Sequence, residues 1–145
     1  MIYVGYQGIG KSSIAGKNNC IDLESGNFWV DDIRNNNWYK IYVNIAEHLS
    51  NQGYKVFMSS HKIVRNELNN RGIEFTVICP SLILKNQWIK RLQERFDRTR
   101  STKDFKALKN AEEMYEENIK DLTSEKNIIV ITTIDYDLLE KVGEE

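Results

Sequence analysis

The sequence predicts an α/β protein: a parallel sheet with helices on both faces. Three observations carry this. Short apolar runs recur along the chain at 2–4, 20–23, 54–58, 75–79 and 128–131. Stretches of helical periodicity fall between them, and alternating strands and helices call for parallel strands joined by crossovers. The runs are continuously apolar rather than alternating, as strands covered on both faces require.

The elements follow in order. Ile2, Tyr3 and Val4 form a buried strand ending at Gly5, and 20–23 is a second strand. Trp38, Ile41, Tyr42, Ile45 and Leu49 recur at helical spacing, predicting a helix over 37–51 closed by Gly53. A third strand at 54–58 leads into a short helix over 62–70, closed by Gly72. A fourth strand precedes Pro80. Leu84, Trp88, Leu92 and Phe96 lie four apart on another helix, and Phe105, Leu108, Ala111, Tyr115, Ile119 and Leu122 mark a longer one. The fifth strand precedes a last short helix over 135–141.

At 145 residues the chain suits one domain, 1–145. A net charge of −1 gives no overall field toward a DNA or RNA polymer or toward a membrane surface. No run is long and apolar enough for a membrane span, and no basic-then-apolar leader opens the chain. Cys20 and Cys79 each adjoin an apolar run, so buried, reduced thiols in a cytoplasmic protein are expected. Charge is uneven. From Lys85 to Lys106 eight basic residues face three acidic ones, a net of +5; from Ala107 onward four lysines face eleven acids, a net of −7. The basic segment suits either an anion site or a solvated helix face.

Gly5-Tyr6-Gln7-Gly8-Ile9-Gly10-Lys11-Ser12 fits G-x-x-x-x-G-K-[ST] at every fixed position. Glycines let the backbone fold back so that successive amides ring a phosphate, and a helix start behind them adds unpaired donors. Lys11 can reach β and γ phosphates, and Ser12 can ligate Mg²⁺. Gly5, Gln7, Gly8, Ile9, Gly10, Lys11, Ser12 and Ser13 are therefore the candidate ATP-binding residues.

Beyond the second strand, Asp22 and Glu24 point to one side of an extended segment. A carboxylate there could hold Mg²⁺ or accept a proton; the pair also suits a solvent-facing strand end. After the third strand, Ser59, Ser60, His61, Lys62 and Arg65 gather donors at a helix start, a natural place for an anionic or polar substrate. Lys62 and Arg65 equally suit an exposed helix. Arg91 and Arg95 lie four apart on one helix face, with Arg98 a turn further on. They can stabilise a transferring phosphoryl group, or, beside Glu94 and Asp97, simply solvate a helix.

The segments GYQGIGKSS, IDLES, VFMSSHKIVRNEL and VICPSLILKNQWIKRLQERF resemble, in that order, the small P-loop kinases, a group that includes nucleoside monophosphate, shikimate and gluconate kinases. The resemblance covers nearly the whole chain. It implies a three-layer P-loop NTPase fold with a five-stranded parallel sheet, strand order 2-3-1-4-5, and a helical lid at about 85–106. It also implies transfer of the ATP γ-phosphoryl group. On this resemblance Lys11, Asp22, Arg91 and Arg95 are candidate catalytic residues, with Ser12 and Asp22 at Mg²⁺. Asp22, Glu24, Arg34, Ser60, Lys62 and Arg65 face the acceptor. Three features depart from the group: Gly16 cuts short the helix after the loop, the third strand ends without an aspartate, and the DGxPR stretch typical of the adenylate kinases is absent, which weighs against that subgroup.

The cations Arg34, Lys62, Arg65 and Arg91 favour an acceptor that is itself a phosphate, hence a nucleoside or deoxynucleoside monophosphate kinase. Phe28, Trp29, Trp38 and Tyr39 are available to flank a base, although Trp38 also suits the core. A kinase of a small hydroxylated metabolite and a non-catalytic nucleotide-binding regulator are the alternatives.

Overall fold

The computed structural model describes residues 1–23, 25, 29–30, 33–34 and 36–143, with the backbone alone at 29, 30, 33 and 34. Of the residues singled out above, Glu24 and Phe28, and the side chains of Trp29 and Arg34, lie outside the described residues.

The described strands are β1 (Ile2–Gly5), β2 (Cys20–Asp22), β3 (Trp29–Val30), β4 (Ile33–Arg34), β5 (Lys55–Ser59), β6 (Thr76–Pro80) and β7 (Ile128–Ile131). The helices are α1 (Lys11–Ile14), α2 (Trp38–Asn51), α3 (Lys62–Asn70), α4 (Lys85–Thr99), α5 (Thr102–Leu122) and α6 (Leu138–Gly143). Five strands form one parallel sheet in the order β2-β5-β1-β6-β7. Counting those strands alone, this is the 2-3-1-4-5 order that the resemblance implies.

Strands β1 and β6 are buried at every position, so both faces of the sheet centre are covered. The step from β1 to β2 runs opposite to the other crossovers. Right-handed connections therefore put α1 on one face and α2, α3 and α5 on the other. Helix α6 contacts α1, and Tyr3, stacked on Phe57 at 4.9 Å, sends its hydroxyl to the Val142 carbonyl of α6 at 3.4 Å.

Three features differ from the sequence expectation or sharpen it. Helix α1 is a single turn: Gly16 sits at φ +82°, and its amide bonds the Cys20 carbonyl, folding the chain directly into β2. The last helix starts at Leu138 rather than 135, because Asp137 Oδ1 accepts from the Leu139 amide at 3.0 Å and caps it. The antiparallel β3–β4 pair, Trp29 opposite Arg34, was not foreseen.

The basic segment 85–106 is α4 with the first turn of α5. Arg95–Asp104 and Lys85–Glu116 pair in opposite chain order, so the two helices are antiparallel. Among the described residues, no helix is long and apolar enough to cross a membrane.

Candidate phosphate-binding loop and its surroundings

The loop leaves β1 at the centre of the sheet's carboxyl edge, where open α/β sheets take their ligands. Its backbone is set by glycine. Gly8 has φ +83°, and a Cβ there would meet Leu92 Cδ2 at 2.9 Å. Gly10, at φ +104°, leads into α1. Within the loop Tyr6 N–H bonds the Ile78 carbonyl at 2.9 Å and Ile9 N–H bonds the Tyr6 carbonyl at 3.1 Å. Among the described residues, the main-chain amides of Gln7, Gly8, Gly10 and Ser12 have no protein acceptor. Polar backbone groups left unsatisfied in a folded chain take water or a ligand. The dipole of a one-turn helix is small, so an anion bound here would be held by the loop amides rather than by the helix.

Lys11 arches back over the loop: its Nζ lies 3.4 Å from the Gly5 carbonyl oxygen. Ser12 and Ser13 are exposed, and Ser13 Oγ donates to the Gly10 carbonyl at 2.7 Å, closing the entry into α1.

Two side chains from distant parts of the chain hold the loop's outer rim, and one side chain of the loop reaches out to α5. Trp88 Nε1 donates to the Gln7 carbonyl at 2.9 Å, and Tyr136 Oη donates to the Ile9 carbonyl at 2.6 Å. Gln7 Nε2 reaches the Ala107 carbonyl at 3.0 Å and Asn110 Oδ1 at 3.1 Å, both on α5. Carbonyls held outward by these donors leave the amides of the same peptides to the opposite side. Burial raises the Tyr136 hydroxyl above its usual range, partly countered by the Arg91 charge, so it stays a protonated donor at neutral pH. Sequence reading missed Trp88 and Tyr136 in this role. Trp88 reads only as one member of the helix's apolar stripe, and nothing local connects Tyr136 to a loop more than a hundred residues earlier.

The two candidate lid arginines separate. Trp88 and Tyr136 stack nearly parallel, 6.2 Å between centroids, and the Arg91 guanidinium carbon lies 5.0 and 5.4 Å from their ring centres. Among the described residues no carboxylate lies within ion-pair distance of Arg91. Arg95 instead bonds Asp104 Oδ1 at 3.1 Å. Asp104 also accepts from Thr99 Oγ1, while its amide donates to the Ser101 cap at 3.1 Å. Burial of Asp104 opposes ionisation, but hydrogen bonds to its carboxylate from the Thr99 and Ser101 side chains and the Arg95 charge outweigh it and hold the carboxyl below its usual range. Arg95 is thus a strut at the α4–α5 turn.

On the acceptor side, the candidate residues also divide. Asp22 ends β2, half-buried and opposite Phe57. Ser59 stands beside Gly5 in register, at the strand end where an aspartate is absent. Lys62 and Arg65, however, engage acids of α5 and its C-terminal flank. Arg65 is buried; its two terminal nitrogens bond Asp121 at 2.5 Å and Glu125 at 2.8 Å, and its Nε bonds the Ser60 carbonyl at 3.1 Å. Lys62 Nζ lies 3.7 Å from Asp121. Hydrogen bonds and charge from Arg65, with Lys62 adding to them, hold the Asp121 carboxyl below its usual range. Trp38 is buried edge-on to His61 at 5.5 Å and against Tyr42, as a core residue.

Among the described residues no group of three or more His, Cys, Asp or Glu side chains could hold a metal. The pair expected at Mg²⁺, an exposed Ser12 hydroxyl and the Asp22 carboxylate, nevertheless fits that ion. Mg²⁺ prefers hard oxygens, keeps several waters, and takes few protein ligands beside substrate phosphates. No protein-family model matches the chain, and no curated protein matches it.

Proposed function

We propose that this chain is an ATP-dependent phosphotransferase. One observation carries the reading: a G-x-x-x-x-G-K-S loop on the central strand's carboxyl end, in which four amides lack acceptors among the described residues and Lys11 folds over the entry. Arg91, charged and without a carboxylate partner among the described residues, supports the same reading from the loop's outer side.

The loop amides and Lys11 bind the β and γ phosphates, and Ser12 and Asp22 would hold Mg²⁺, which would supply charge neutralisation to the phosphates when bound. An acceptor oxygen attacks the γ phosphorus in line, and the bond to the β-bridging oxygen breaks, releasing ADP. Where the acceptor is a hydroxyl, its proton passes to Asp22. Arg91 offers directional hydrogen bonds to the spread charge of the transferring group. Two buried free thiols suit a reducing, cytoplasmic setting.

The first acceptor reading is a nucleoside or deoxynucleoside monophosphate, received by Arg91 and Arg34. A second, a small hydroxylated metabolite such as a sugar acid, has specific support. Lys62 and Arg65 are taken up by Asp121 and Glu125, while hydroxyls of Ser25, Ser59 and Tyr42 converge at the ends of β2 and β5.

The test is coupled ADP release with a panel of NMPs, dNMPs and sugar acids. Turnover on monophosphates supports the first reading, and turnover only on sugar acids supports the second. ATP binding with no turnover on any acceptor rejects both in favour of a nucleotide-binding regulator. No ATP binding at all removes the whole reading.

A further inference from the structure

The β2–β5 ladder ends in an unusual way. It opens with Lys55 N–H bonding the Asn19 carbonyl and proceeds to Leu23 N–H bonding the Phe57 carbonyl, each at 2.9 Å. In a parallel ladder the donors alternate between strands, so the next bond should run from Ser59 N–H to the Leu23 carbonyl. That bond is replaced. Ser59 N–H donates instead to Tyr42 Oη at 2.9 Å, and Tyr42 Oη donates to the Leu23 carbonyl at 2.6 Å. One phenol oxygen stands between the two strands as donor and acceptor.

The substitution has a geometric effect. Bonds of 2.6 and 2.9 Å meeting at a tetrahedral oxygen separate Leu23 O from Ser59 N by roughly 4.5 Å, where a direct bond spans about 2.9 Å. The strands are splayed just past Asp22 and just beside Gly5. Ser59 Oγ donates to Ser25 Oγ at 2.8 Å across the gap. Tyr42 itself is fully buried on α2, so its ring cannot withdraw without opening the core.

We propose that Tyr42 is a positioning residue: its hydroxyl wedges β2 from β5 and thereby sets the width of the acceptor entrance next to the phosphate loop. The proposal rests on the phosphotransferase reading for its chemistry, but the wedge itself is a property of the ladder. Tyr42→Phe keeps the ring and removes the wedge, leaving Leu23 O and Ser59 N–H to pair directly and close the gap.

In Tyr42→Phe the KM for the acceptor should rise about tenfold while the KM for ATP stays within twofold. Unchanged acceptor KM, or equal loss for both substrates, overturns the proposal, since a merely structural lesion would not discriminate between them. In the wild-type chain, NMR should show a slowly exchanging Tyr42 hydroxyl proton with a nuclear Overhauser contact to the Ser59 amide. Its absence overturns the wedge whether or not the variant folds. If the wild type transfers phosphate to no acceptor, the functional reading fails separately. The wedge is then decided by the Tyr42→Phe crystal structure, where an unchanged Leu23–Ser59 separation rejects it.

Discussion

Arg91 and Arg65 are both drawn in from the surface near the sheet's carboxyl edge, and the chain treats them oppositely. Arg65 is saturated: Asp121, Glu125 and the Ser60 carbonyl take up its donors. Arg91 meets ring faces, and among the described residues it has no carboxylate. A guanidinium fully bonded within the fold is a fastener; one resting on aromatic faces keeps its donors for an anion. Position near a site does not make an arginine a substrate ligand; what its nitrogens already touch decides that.

The contrast can be broken most forcefully at Arg65. Arg65→Ala leaves Glu125 and Asp121 without their buried partner and should cost about 3 kcal/mol, the low end for such a pair because Asp121 partly faces water. Thermal denaturation should show Tm falling by about 6–12 °C. A variant of undiminished Tm but impaired acceptor binding would return Arg65 to the substrate side. Lys11→Ala should leave Tm nearly unchanged and lower phosphotransfer about 10²- to 10³-fold, read by steady-state rates. Arg91→Ala should lower the rate about tenfold or more with little change in Tm, whereas Arg95→Ala should reverse that ratio, costing about 1 kcal/mol through its lost ion pair and leaving the rate within about threefold. Equal effects of the two on rate would erase the distinction drawn between them.

The smallest effect is acid sensitivity. The Asp104 and Asp121 carboxyls are both held below the ordinary value of 3.8. In the unfolded chain they take up protons at higher pH than in the fold, so protonation favours unfolding. Their contribution to stability is complete above about pH 4 and is lost as pH falls through the depressed values. Denaturant titrations from pH 5 downward should show the decline, and Asp121→Asn should flatten it.

Much of the fold was legible because its signals are local. Continuous apolar runs gave all five strands of the main sheet within a residue or two, and the glycine-lysine-serine spacing singled out the loop. The rest depends on contacts that periodicity cannot carry. Lys62 and Arg65 read as cations at a helix start, but their partners lie 56 to 60 residues downstream. The net −7 from Ala107 onward was the one hint that acids there would claim them. Arg91 and Arg95 share a face and a spacing; only the fold gives one an aromatic platform and the other Asp104. Tyr42 reads as core and is core, yet its terminal oxygen falls at the one ladder position where a strand pair was due to close.

Cys20 and Cys79 are free thiols with almost no exposed surface, and burial pushes the Cys79 thiol up to about 11. They also occupy different rows: Cys79 lies on β6 beside the central strand, Cys20 on the edge strand β2. Alkylating reagents can therefore reach each sulfur only when its own strand comes away. The two modification rates become paired stopwatches, one timing the peeling of the sheet's margin and the other the rupture of its middle, with no label added to the chain.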